Sequence, residues 1–202
     1  TINRFSWAGY TVKSYVRAAQ IAEEVCRELG IKWYGGNVSD FAPLYNVAIL
    51  AGLRRGGCLP DIHTDNLFVD RSGQPENHDT HLLPINSERL RMDLVGKLRV
   101  LASIGLHYGS PRFISTYAYW TLKKTPESRK FRYVDPDQAA RYLVRYFVLS
   151  ASSGYTERAY WGQLVSHSKG LIGDGTGYKP RVPMVYGHRR MGGHLRDYRI
   201  RP

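Results

Sequence analysis

Residues 11–37 read TVKSYVRAAQIAEEVCRELGIKWYGGN, and the change of period inside this stretch decides the fold class. Val12, Tyr15, Val16, Ala19, Ala22, Val25, Cys26 and Leu29 recur at steps of three and four, which predicts a helix with one buried stripe. Thr11 can cap its start and Gly30 ends it. A short apolar run follows, Ile31 to Tyr34, read as a strand stopped by Gly35-Gly36-Asn37.

The same alternation continues outward. Ser39 or Asp40 is positioned to cap a helix reaching about Arg54, and Asp61 to Phe68 reads as the next strand. Residues 70–79, rich in Gly, Pro, Asn and Asp, form a surface excursion before a helix over Ser87 to Leu106. Arg112 to Trp120 is a strand. Asp135-Pro136-Asp137-Gln138 has the form of a capping box with proline in the first turn, opening a helix to about Ser150, and Glu157 to Leu164 is the last strand. Helices alternating with short strands call for parallel βα units, as in half a barrel or part of an open sheet. The expectation is an α/β fold of the (β/α)₈ TIM-barrel kind. A whole barrel takes about 250 residues. The 202 residues are therefore read as one domain, incomplete at its amino end and part of a longer chain.

Composition narrows the function classes. With 43% hydrophobic residues the chain can bury a real core, and no run of about 18 apolar residues is present to span a membrane. The chain opens on Thr1 with neither an initiator methionine nor a secretory leader pattern, which leaves the compartment open. Cys26 and Cys58 lack metal-site or disulfide-framework spacing and read as reduced thiols, Cys26 on the buried stripe. No cofactor or metal is expected. A formal net charge of +12 suits nucleic acid, an anionic glycan or a membrane surface. The charge is scattered except for the arginine-dense stretch from Lys179 to Arg201, so a solvated basic surface is the plainer reading.

In barrels of this kind chemistry sits at the carboxyl ends of the strands. The residues expected there are Asn3, Arg4 and Trp7, then Asn37, then His63 with Asp65, then Thr116, Tyr117 and Tyr119, and finally Trp161 and Gln163. Aromatic faces stack on the apolar faces of sugar rings, while amide, imidazole and guanidinium groups hydrogen-bond hydroxyls. Each residue also has a plainer role. Tyr117 and Tyr119 share a strand and one can be core; Trp161 can be packing; His63 can be a structural hydrogen-bonded group; Asp65 can cap a turn.

These residues carry a resemblance. Residues 1–11, TINRFSWAGYT, resemble the segment after the fourth strand of clan-A glycoside hydrolases, notably the β-xylosidase and iduronidase-like families, where Asn-Glu-Pro-Asn leads into a helix. Asp61-Ile62-His63 resembles the sixth-strand motif, Arg112 to Tyr119 the seventh, and Tyr160-Trp161-Gly162-Gln163-Leu164 the eighth. The resemblance implies strands 5 to 8 of the barrel. It puts Asn3 at the final Asn, Thr1 at the acid/base glutamate and Thr116 at the nucleophile. Retaining hydrolysis needs two carboxyl groups about 5 Å apart, and threonine supplies neither the charge nor the acidic proton. The reading that follows is a carbohydrate-binding domain without the usual double displacement, its partner an oligosaccharide or polysaccharide, anionic ones included. The alternative is an active glycosidase using another acid, such as Asp65 (with Asp61, Asp70, Glu76 and Asp79 as further candidates), or a carboxylate from a segment outside these residues. A basic nucleic-acid-binding protein ranks last.

Overall fold

The computed structural model describes residues 11–39, 41–67, 75, 93–118, 136–166 and 170–172. They form α1 (Val12–Glu28), β1 (Tyr34–Ser39), α2 (Pro43–Arg55), β2 (Ile62–Asn66), α3 (Leu94–Tyr108), β3 (Phe113–Ala118), α4 (Pro136–Ser152) and β4 (Arg158–Trp161). The strands make one sheet in the order β1-β2-β3-β4, every pair parallel. This is the α/β barrel-type architecture expected from the alternation of periods.

Local chemistry explains most of the boundaries. Ser14 donates its backbone N–H to Thr11 Oγ1 at 3.1 Å, which caps α1. At the other end Gly30 takes φ +64°, and the N–H groups of Gly30 and Ile31 reach the carbonyls of Arg27 and Cys26. This is the glycine-terminated stop that turns the chain toward β1. The same helix–glycine–strand turn recurs at Gly57 and Gly109. Gly96 donates to Asp93 Oδ1 at 2.7 Å, so α3 begins at Leu94 rather than at Ser87.

Three expectations are corrected. First, β1 runs through Gly35-Gly36-Asn37 instead of stopping before it. Gly36 and Asn37 have positive φ, and the pairing with β2 shifts register between Gly36 and Val38, so the glycines are a bulge inside the strand. Second, α2 is opened by Pro43 after Ala42; Ser39 ends β1, and Asp40 lies outside the described residues. Third, the stripe of α1 is only partly covered. Ala19 is buried, whereas Val25 and Leu29 are exposed and Cys26 is half-buried.

The core lies between the sheet and the helices. One cluster packs α1 on α2 through Ala19, Ile49, Leu50, Leu53 and Cys58. The other joins α3 and α4 over β3, through Leu94, Leu98, Leu101, Phe113, Leu143 and Tyr146. Among the described residues, no helix is long and apolar enough to cross a membrane. Cys26 and Cys58 are free thiols, and burial pushes the Cys58 thiol up.

Leu143 is fully buried and Leu29 is not. Leu143→Ala is expected to cost about 2–5 kcal/mol, and Leu29→Ala close to nothing, in urea unfolding of this chain followed by circular dichroism.

Candidate functional site

Parallel pairing levels the carboxyl ends of the strands. Ser39 stands opposite Asn66, Asp65 opposite Ser115, and Ala118 opposite Trp161. The loops that leave these residues therefore start from one rim. The amino ends carry a different set of groups. Arg112 and Glu157, just before β3 and β4, form a two-pronged ion pair in which Arg112 Nε donates to Glu157 Oε2 at 2.6 Å. Asp61 accepts from the Trp33 N–H at 2.8 Å. Asp61 thus belongs to the amino-end rim.

The best-defined polar arrangement lies on the helix-facing side of β2. His63 and Asp65 are both fully buried and, two residues apart, share that face. Asn46 of α2 bridges them. Its Nδ2 donates to Asp65 Oδ2 at 2.8 Å and to the Ala42 carbonyl at 3.3 Å, and its Oδ1 lies 3.0 Å from His63 Nε2. Because the Ala42 carbonyl can only accept, the amide nitrogen must lie on the side of Ala42 and Asp65. Its oxygen then faces His63, and the imidazole must carry its proton on Nε2. Burial holds the His63 pKa down at about 4, so the ring is neutral.

The pocket around that ring is shaped by two glycines and a phenylalanine. A Cβ on Gly105 of α3 would stand 2.6 Å from the Ser110 carbonyl and 3.2 Å from His63 Nδ1. One on Gly36 would stand 2.7 Å from His63 Cδ2. The Phe113 ring lies 5.3 Å away, centroid to centroid. His63 and Asp65 therefore sit between sheet and helices, not in a hollow open to a sugar. Asp65 accepts from the Asn46 amide. The contacts that the structure gives both residues, with Asn46 and the neighbouring backbone, are those of the scaffold.

The other candidates divide as follows. Asn37 is exposed on the bulge of β1, and Gln163 is exposed just past β4. Trp161 is half-buried and packs with Ala159 against the α3–α4 cluster, its packing role. Thr116 and Tyr117 fall within β3. Thr1, Asn3, Arg4, Trp7 and Tyr119 lie outside the described residues, as do Asp70, Glu76 and Asp79. Asn46 was missed by sequence reading, although its signal was present: an amide in line with Ile49, Leu50 and Leu53 on the buried stripe of α2. Buried Lys97 on α3, with its ammonium 5.5 Å from the Phe41 ring, was missed too. Among the described residues, no group of three or more His, Cys, Asp or Glu side chains could hold a metal ion.

No protein-family profile matches the chain, and no curated protein does. Solved structures do. A GH128 endo-β-1,3-glucanase from Amycolatopsis mediterranei in complex with laminaritriose is 16% identical with a TM-score of 0.62, covering 95% of this chain and 69% of its own. An active-site mutant of the Rhizomucor miehei β-1,3-glucanosyltransferase, also with laminaritriose, is 11% identical with a TM-score of 0.56, covering 87% of this chain and 57% of its own. A glucosidase from Croceicoccus marinus is 14% identical with a TM-score of 0.57, and this chain spans 30% of its length. At such identities the likeness is one of fold alone, the parallel α/β arrangement of a TIM-type barrel.

The His63 environment sets a pH dependence. The unfolded imidazole takes up a proton below its ordinary 6.5, whereas the folded one does so only near 4. The unfolded state therefore binds more protons across that window, and stability falls as pH drops through it. Between pH 7 and pH 5.5 the His63 contribution is about 1 kcal/mol. His63→Gln, which keeps a donor for Asn46, is expected to flatten the urea-midpoint profile by that amount. Parallel profiles for the two proteins would contradict a neutral buried imidazole.

Proposed function

We propose that the chain is a carbohydrate-binding, glycoside-hydrolase-like domain that does not carry out double displacement. The observation that carries this reading is the acidic content of the sheet: the four described strands hold a single carboxylate, Asp65, and it is engaged with Asn46 on the helix side. Retaining hydrolysis draws on two carboxyl groups about 5 Å apart, facing the sugar. Thr116, in β3, stands where the resemblance to clan-A enzymes expects the nucleophile, and Thr1 where it expects the acid/base. The ligand class is an oligosaccharide or polysaccharide. Support comes from the fold, which is shared with proteins solved in complex with laminaritriose. A net charge of +12 favours anionic glycans among the candidates.

In this reading the sugar lies over the carboxyl-end rim. Asn37 and Gln163 reach it from the two outer strands. Asn3, Arg4, Trp7, Tyr117 and Tyr119 supply further hydrogen bonds and stacking faces. His63, Asp65 and Trp161 hold the scaffold that carries them.

Calorimetric titration with laminari-oligosaccharides and with an anionic polysaccharide, run beside a reducing-end assay, tests the proposal. Binding without new reducing ends is expected. Tyr119→Ala is expected to weaken it about fivefold, the equivalent of about 1 kcal/mol of stacking. Release of reducing ends with a two-limbed carboxylate pH profile would overturn the non-catalytic reading in favour of an active glycosidase.

A further inference from the structure

Asn37 owes its direction to a residue on another element. The pairing of β1 with β2 sets Gly36 opposite Thr64 and Val38 opposite Asp65, which makes Asn37 the extra residue of the bulge. It takes φ +58° and is exposed, between buried Gly36 and fully buried Val38. A bulge of this kind re-aims a side chain, and it persists only where its surroundings hold the unusual backbone.

Two neighbours hold it here. From β2, the Thr64 carbonyl and the His63 ring close on Gly36 so tightly that a Cβ there would stand 2.6 and 2.7 Å from them. From α1, one hydroxyl meets both backbone groups of Gly36. The Gly36 N–H donates to Tyr15 Oη at 3.0 Å, and Tyr15 Oη donates back to the Gly36 carbonyl at 3.4 Å. The Tyr15 ring is itself packed against the α1–α2 cluster of Ala19, Ile49, Leu50, Leu53 and Cys58. Burial pushes its phenol up, so at neutral pH the hydroxyl keeps its proton and can serve both bonds at once.

We propose that Tyr15 is a positioning residue for the carbohydrate site: its hydroxyl clamps the Gly36–Asn37 bulge and so sets the angle at which Asn37 meets a bound sugar. Hydrogen bonds weaken steeply as they bend, so an amide that swings with a loosened bulge loses its grip on a sugar hydroxyl. The contact of Asn37 with sugar rests on the function proposed above, whereas the clamp rests on the two hydrogen bonds to Gly36.

Tyr15→Phe keeps the ring in its cluster and removes only the hydroxyl. The test is a double-mutant cycle of Tyr15→Phe and Asn37→Ala, read by calorimetric titration with laminari-oligosaccharides and by nuclear magnetic resonance of the backbone amides without ligand. Tyr15→Phe is expected to move the Gly36 and Asn37 amide signals while those of α4 stay in place. It is also expected to weaken sugar binding about threefold in the otherwise unchanged chain, and to cause no further loss once Asn37 is alanine. Equal losses in the two backgrounds would overturn the proposal, since Tyr15 would then act on binding without Asn37. Unmoved Gly36 and Asn37 signals would overturn the clamp. A chain that binds no sugar while those signals still move would overturn the carbohydrate reading, and with it the role of Asn37, but leave the clamp established.

Discussion

Parallel pairing is the constraint on which the rest of the structure depends. Two parallel strands cannot be joined by a hairpin, so the chain must return through a crossover after every strand. Crossovers of one hand put all the helices on one face of the sheet. That face becomes the core, and the strand ends become two unlike rims. At the amino rim Arg112 pairs with Glu157 and Asp61 takes the Trp33 N–H, contacts that bind neighbouring segments together. At the carboxyl rim Ser39 stands beside Asn66 and Ala118 beside Trp161. Polar and aromatic residues gathered there can converge on a ligand because the sheet has already aligned their starting points.

The bridge from Asn46 to His63 and Asp65 shows how the sheet is held in register with the helices. Burying a carboxylate, an amide and an imidazole costs free energy unless each finds a partner. Here each partner fixes the next: the carboxylate orients the amide, and the amide sets the tautomer of the ring. A slip of β2 by one residue would turn Ile62 and Thr64 toward Asn46 and send both polar groups to the other face. Gly105 and Gly36 are part of the same arrangement, since α3 and β1 can close on the ring only where no Cβ intervenes.

Much of this was legible in the sequence, and the failures have physical causes. Thr11, Gly30 and Pro136 mark helix ends through local chemistry, which needs no knowledge of the rest of the chain. The alternation of periods was enough for the parallel α/β class. By contrast, Gly35-Gly36-Asn37 read as a strand stop because positive φ usually belongs to turns, whereas here it forms a bulge held by pairing with β2. That His63 and Asp65 share a face follows from their spacing. Which face they share is set by Asn46, and that is tertiary information. That Trp161 leans on the α3–α4 cluster is likewise tertiary information. Val25 and Leu29 were read as buried on period alone, and the structure leaves them open because helix α2 covers just one flank.

The position of Asp65 reaches beyond stability. A carboxyl group does acid or nucleophile work on a glycoside only if it faces the sugar with a free lone pair or proton. Asp65 faces α2 and accepts from an amide that is itself committed to His63. Releasing it would leave Asn46 and the neutral ring without their orienting partner, so the scaffold and the chemistry compete for the same group. Elsewhere along β1, β3 and β4 the side chains are hydroxyl, amide, aromatic, aliphatic or cationic. In the proposed reading, those of them that stand at the carboxyl-end rim meet the hydroxyls and ring faces of a bound sugar.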